Sequence, residues 1–173
     1  EDSVEAIACR TYYDAQLDAT LRDHPWNFAT EYVALAPAAG AVPPNWDYAF
    51  GRPADCVLAR LILPNVKGGA KVPFERAGNL ILTDQAESWL CFTGRVTDPA
   101  MFDPLFVVAF SLRLAVAVSP EITADRGWVQ AAQTQYLNAI AAAKAADASE
   151  GTPEDAQDPS WIAAIGIDTQ FIA

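Results

Sequence analysis

Few side chains in this 173-residue chain have types and spacing suited to chemistry. His24 is the single histidine, and no cysteine or second imidazole stands at metal-ligating spacing from it. Beside a proline and two nearby aromatics, it reads as a core or helix-end residue. The three cysteines, Cys9, Cys56 and Cys91, match no zinc or redox spacing. Each has an apolar neighbour, so buried free thiols are expected; as a nucleophile, Cys9 or Cys91 would need His24. Asp14 and Asp18 lie one helical turn apart and could share a proton as a carboxylate pair. In so acidic a chain, a solvated helix flank explains them as well. Asp98-Pro99 and Asp103-Pro104 read as helix starts, with the acid capping and the proline first in the helix. Lys67-Gly68-Gly69-Ala70-Lys71 lacks the spacing of a phosphate loop, and no serine stands in a nucleophile elbow. The expectation is a non-enzyme with no catalytic residues, no metal and no cofactor.

Charge narrows the partners. The net charge is -11, with 22 acidic and 11 basic side chains. Residues 1–31 and 120–173 carry the excess acid, whereas 32–119 is balanced. Such a surface suits solubility, repulsion of DNA or a basic protein partner, and it disfavours gripping duplex DNA or an anionic membrane. The odd cysteine count favours a reducing compartment.

The elements that must position these groups follow from periodicity. Residues 98–119, DPAMFDPLFVVAFSLRLAVAVS, form the most apolar run, interrupted only by Ser111 and Arg113 after Pro104. It is too long for an ordinary strand and short of a membrane span of roughly 20 apolar residues. A central helix over 100–118 is expected, apolar nearly all round and therefore buried, with a short turn at its start. A helix over 2–24 would bury Ala6, Cys9, Tyr13, Leu17 and Leu21, with Asp2 or Ser3 as cap. Ser119-Pro120 would start a third, alanine-rich helix over 121–147, where Gly127 costs about 1 kcal/mol. Trp26 and Phe28 supply bulk at the edge of the core. Between the first two helices, residues 30–97 read as a small, mostly antiparallel β region. Its turns are expected at 67–71, Ala77-Gly78-Asn79 and Thr83-Asp84-Gln85. Trp46, Tyr48 and Phe50 alternate as an extended piece whose aromatics pack inward. The fold class is α+β: an antiparallel helix bundle, a small β subdomain and an extended C-terminal arm.

Residues 1–148 thus form one domain. After it, SEGTPEDAQDP is an acidic linker. Trp161, Ile162, Ile165, Ile167, Phe171 and Ile172 then form an apolar cluster. Either this segment folds back on its own core, or residues 149–173 are a docking arm for another protein.

The series His24-Pro25-Trp26-Asn27-Phe28-Ala29, Trp46-Asp47-Tyr48-Ala49-Phe50, Pro53-Ala54-Asp55-Cys56, Phe74-Glu75, 79–82, Val96-Thr97-Asp98-Pro99, Phe102-Asp103-Pro104-Leu105-Phe106 and Ser160-Trp161-Ile162 resembles the head–tail adaptors of short-tailed bacteriophages. These are the tail tubular protein A type, with related neck adaptors in long-tailed phages and gene transfer agents. The likeness covers about residues 3 to 165 and rests on order and spacing, because no single motif is specific. It implies a virion structural protein at the head–tail junction, assembled in the bacterial cytoplasm as a twelve-subunit ring under the portal protein. Its other side would meet the tail nozzle or next neck protein. Double-stranded DNA would be only a passenger in the channel, and no membrane is involved. Trp161, Ile162, Ile165, Phe171 and Ile172 would dock the arm onto the portal. Trp26, Phe28, Trp46, Phe50, Pro53, Asp98, Pro99, Phe102, Pro104 and Phe106 would form the family-like core. Members usually begin with a further helix-forming segment, which would make helix 2–24 the second helix of the intact protein. The other class left open is a monomeric protein-binding or small-ligand-binding module, with a pocket lined by Trp46, Phe50 and Trp89.

Overall fold

The computed structural model describes residues 3–66, 69–123 and 125–151. Among them the chain is a mixed α+β fold with three helices and two three-stranded antiparallel sheets, not closed into a barrel. The first helix, α1, is Val4–Arg22, with Ser3 as its cap: the Ser3 hydroxyl accepts the Ala6 N–H at 3.3 Å. It buries Ala8, Leu17, Thr20 and Leu21, while Cys9 is only half-buried. A single turn of 3-10 helix, Asn27–Ala29, leads into β1, Thr30–Ala34. The other strands are β2 (Tyr48–Gly51), β3 (Cys56–Pro64), β4 (Phe74–Ala77), β5 (Leu80–Thr83) and β6 (Ser88–Gly94).

One sheet has the order β1-β6-β3 and the other β2-β5-β4. Phe50 and Ile81 from the second meet Cys56, Ile62, Leu90 and Phe92 from the first in one apolar cluster. The β4–β5 hairpin turns at Gly78-Asn79, where Gly78 takes φ +60°, a conformation glycine reaches without steric penalty. Of the expected 67–71 connection, Lys67 and Gly68 lie outside the described residues.

The short turn expected at the entry to the central helix is present, and the helix itself starts at Pro104 rather than at 100. Pro99–Met101 is a separate 3-10 turn capped by Asp98. The helix proper, α2, is Pro104–Ile122. The Asp103 carboxylate accepts the Leu105 and Phe106 N–H groups at 2.8 and 3.1 Å, so the second Asp-Pro pair makes the true start. Its end also differs, because Ser119-Pro120 does not open a new helix. Pro120 has no N–H for the Val116 carbonyl, and the Ser119 hydroxyl donates to that carbonyl instead at 2.7 Å. The helix therefore runs on to Ile122. The last helix, α3, is Arg126–Ser149 rather than 121–147. Asp125 caps it by accepting the Gly127 and Trp128 N–H groups at 2.8 and 3.2 Å. Gly127 falls in the first turn, where the interior penalty does not apply.

Helix α2 lies between α1 and α3. Tyr12 reaches Glu121 and Asp23 reaches Arg113, so α1 runs antiparallel to α2. The expectation of burial all round fails: α2 buries Phe106, Ala109, Phe110, Val118 and Ser119, while Leu105, Val107, Val108 and Ile122 stay exposed. Two flanking helices cover only part of a cylinder, and the sheets pack elsewhere. By length and composition α2 is one helix long and apolar enough to cross a membrane, which the sequence reading had ruled out on length. Its mid-helix Arg113 is bound to Gln16, Asp23 and Tyr136 from both neighbours.

The helical core is aromatic. Phe106 is fully buried and meets Trp26 edge-on at 5.1 Å, with Phe28, Phe102 and Phe110 around it. Trp26 is at the centre of this core, not at its edge, and its indole N–H donates to the Thr20 carbonyl at 2.9 Å. Replacing Phe106 by Ala should lower the unfolding free energy by about 4 kcal/mol. Val108→Ala on the exposed side should change it by less than about 0.5 kcal/mol. Urea denaturation followed by circular dichroism measures both.

Candidate functional site

No group of three or more His, Cys, Asp or Glu able to hold a metal occurs among the described residues. The residues singled out from the sequence instead form the joints of the fold. His24-Pro25-Trp26-Asn27-Phe28 is the link between α1 and β1, and the end of α3 grips it. The Asp147 carboxylate lies 2.9 Å from His24 Nε2 and accepts the Asn27 backbone N–H at 2.9 Å. The Asn27 side-chain amide donates to the Asp147 backbone carbonyl at 2.7 Å. Asp147 is 6% exposed, so its charge is stabilised by these partners more than by water.

His24 therefore faces Asp147 and stacks edge-on with Trp26 at 4.9 Å. Cys56 and Cys91 are buried and Cys9 half-buried, all as free thiols. Burial pushes the Cys56 thiol up, opposed by the Arg52 guanidinium, so Cys56 is a poor nucleophile at neutral pH.

Asp14 and Asp18 are held by one cation. Arg95, just past β6, binds both, with Nε 2.6 Å from Asp18 and an Nη 2.8 Å from Asp14. The hydrogen bond that Arg95 donates to the Asp18 carboxylate is the main reason that its guanidinium holds its proton more tightly than usual. Arg22 on α1 donates to the Val57 carbonyl on β3 at 3.0 Å. These contacts tie the bundle to the first sheet. They border a cleft of about 340 Å³ lined by Asp18, Arg22, Arg52, Asp55 and Arg95, among others. Arg52 donates to the Cys56 carbonyl, and its buried Nε has no partner. The mix of acids and bases leaves the cleft without a dominant sign. Nearby, burial and the Asp55 charge raise the Glu31 carboxyl.

The other family-like residues are structural too. Asp98-Pro99 and Asp103-Pro104 are the two caps, and Phe102 and Phe106 are in the core. Pro53 starts the turn whose carbonyl accepts the Cys56 N–H. Phe50 is core, whereas the Trp46 indole donates to Glu75 at 3.2 Å and Trp89 is 39% exposed. Trp161, Ile162, Ile165, Phe171 and Ile172 lie outside the described residues.

Asp147 and Arg95 do not stand out in the sequence, and Arg113 shows there only as a break in the apolar run. Asp147 does carry a signal: an acid in the last turn opposes the helix dipole, so it needs a compensating partner. No known protein family's sequence pattern matches the chain, and no curated protein matches it.

Asp147→Ala removes the acceptor of the part-buried Asn27 N–H and takes the carboxylate away from His24. It should destabilise the protein by about 3 kcal/mol, and Asp147→Asn by about half as much. Chemical denaturation of the two variants tests this. In native protein at pH 8, a thiol reagent should label Cys9 first, with Cys56 and Cys91 reacting only on unfolding. Peptide mapping of the modified chain identifies the order.

Proposed function

We propose that this chain is a structural component of a bacteriophage neck, an adaptor that joins the portal of the DNA-filled head to the tail. The carrying observation is the ordered series from His24-Pro25-Trp26-Asn27-Phe28-Ala29 to Ser160-Trp161-Ile162. The described parts of that series serve as joints, caps and core residues in a three-helix and two-sheet body, which accords with a scaffold rather than a reactive centre. The protein is not an enzyme in this reading. Subunits form a ring, a twelve-fold one by resemblance, through two different surfaces each, because a closed ring needs head-to-tail contacts. The net charge of -11 suits a channel that DNA slides through, since an acidic wall gives phosphates no counter-charge. Residues 149–173 dock the portal, with Trp161 and Ile162 as anchors and Ile165, Phe171 and Ile172 beside them. The opposite side meets the nozzle or next neck protein.

Deletion of residues 149–173 spares Asp147 and its partners, so the remaining domain should keep its fold. The truncated protein should lose co-sedimentation with the portal while its circular dichroism spectrum is unchanged. Normal portal binding by the folded truncation would remove the arm from the docking role. Mass photometry of the full chain mixed with portal separates the classes: rings on the portal support the adaptor, and a monomer under every condition supports the stand-alone binding module.

A further inference from the structure

The exposed side of α2 carries a mostly apolar row, with Ser111 as its polar member and the buried Val118 and Ser119 interrupting it before Ile122. Val107, Val108, Ser111, Ala115 and Ile122 recur at helical spacing, with Leu105 and Met101 extending the row at its start. No charged side chain lies among them. Val107 is 39%, Val108 52% and Ile122 47% exposed. The far end opens into a groove of about 360 Å³ lined by Ala115, Val118, Ser119, Ile122, Thr123, Asp125 and Trp128. Such a surface on a strongly acidic chain calls for an apolar, nearly uncharged occupant.

We propose that in the free protein this row is covered by residues 161–172 of the same chain. The described chain stops at Gly151, just past α3. Asp147 holds Asn27 there, and the adjacent Trp26 packs on Phe106, so the chain leaves α3 at the end of the bundle where α2 and its row begin. Nine residues, 152–160, extend up to about 30 Å, and the 19 residues of α2 span about 28 Å. Trp161 can thus be delivered to any point of the row. The delivered segment carries Trp161, Ile162, Ile165, Ile167, Phe171 and Ile172 against one charge, Asp168, and so matches the row in character. A second copy is the weaker occupant, because it brings another net charge of -11 to the contact. This docking does not rest on the portal reading. Where that reading also holds, portal and row compete for the same side chains.

The test uses the full chain labelled with fluorotryptophan and read by fluorine NMR, with the Trp161 signal assigned by its loss in Trp161→Phe. The shift between light and heavy water reports exposure of each indole. In the wild type, the Trp161 signal should show less than half the solvent shift of free fluorotryptophan. Val108→Asp and, separately, Val107→Ser should raise it towards the full value while the Trp26, Trp46 and Trp89 signals stay put. Ile7→Asp, on the exposed side of α1, should leave Trp161 covered. A fully exposed Trp161 in the wild type overturns the proposal. So does a covered Trp161 that ignores both α2 variants, or a covering that disappears on dilution and thereby assigns the row to a second copy. If Val108→Asp disturbs the Trp26 signal, the fold has changed and Val107→Ser decides.

Discussion

A buried carboxylate, Asp147, joins parts of the chain 120 residues apart. It receives a backbone N–H and faces an imidazole, and its own carbonyl takes a side-chain amide. Without it, the link between α1 and β1 would have polar groups at the rim of an aromatic core and no partner for them. With it, Trp26 is held over Phe106 and the three helices close around one cluster. The same contact fixes where α3 ends, and so fixes the place from which residues 152–173 depart.

The body has two apolar centres with different chemistry between them. The helical centre is built on Trp26, Phe106 and Phe110, and the sheet centre on Phe50, Ile62, Leu90 and Phe92. The seam is largely polar: Arg95 to Asp14 and Asp18, and Arg22 to the Val57 carbonyl. Those ion pairs are partly exposed, so each contributes less than about 1 kcal/mol and orients the two parts more than it glues them. Arg113 plays the corresponding part within the bundle. It is the one charge in the middle of α2, and Gln16, Asp23 and Tyr136 neutralise the penalty of its position.

Local signals in this sequence are legible and non-local ones are not. The β region, the Gly78 turn and the Asp-Pro starts follow from backbone chemistry that acts over a few residues. The end of α2 was misread because Ser119-Pro120 looks like a helix start. Only a three-residue hydroxyl contact to Val116 lets the helix pass through it. The buried faces of α2 depend on how many neighbours surround it, which an apolar run cannot state. Asp147 looked like one acid among 22, and its role depends on a partner segment far away in sequence. Asp14 and Asp18 were placed on a helix flank, but the arginine that claims them comes from beyond β6.

An adaptor needs a rigid body and a separate means of attachment. In the proposed role, the clasp at Asp147 would supply the first and the apolar segment after it the second. In the proposal, the row on α2 would give that segment a covered state before assembly, with six large apolar side chains kept from water in an acidic protein. The most direct measurement is an electron cryomicroscopy reconstruction of the assembled phage neck at side-chain resolution. The account predicts Trp161 and Ile162 lodged against a portal subunit, with the His24–Asp147 contact intact below them. Trp161 buried within its own subunit in the assembled particle, touching no other chain, would contradict it.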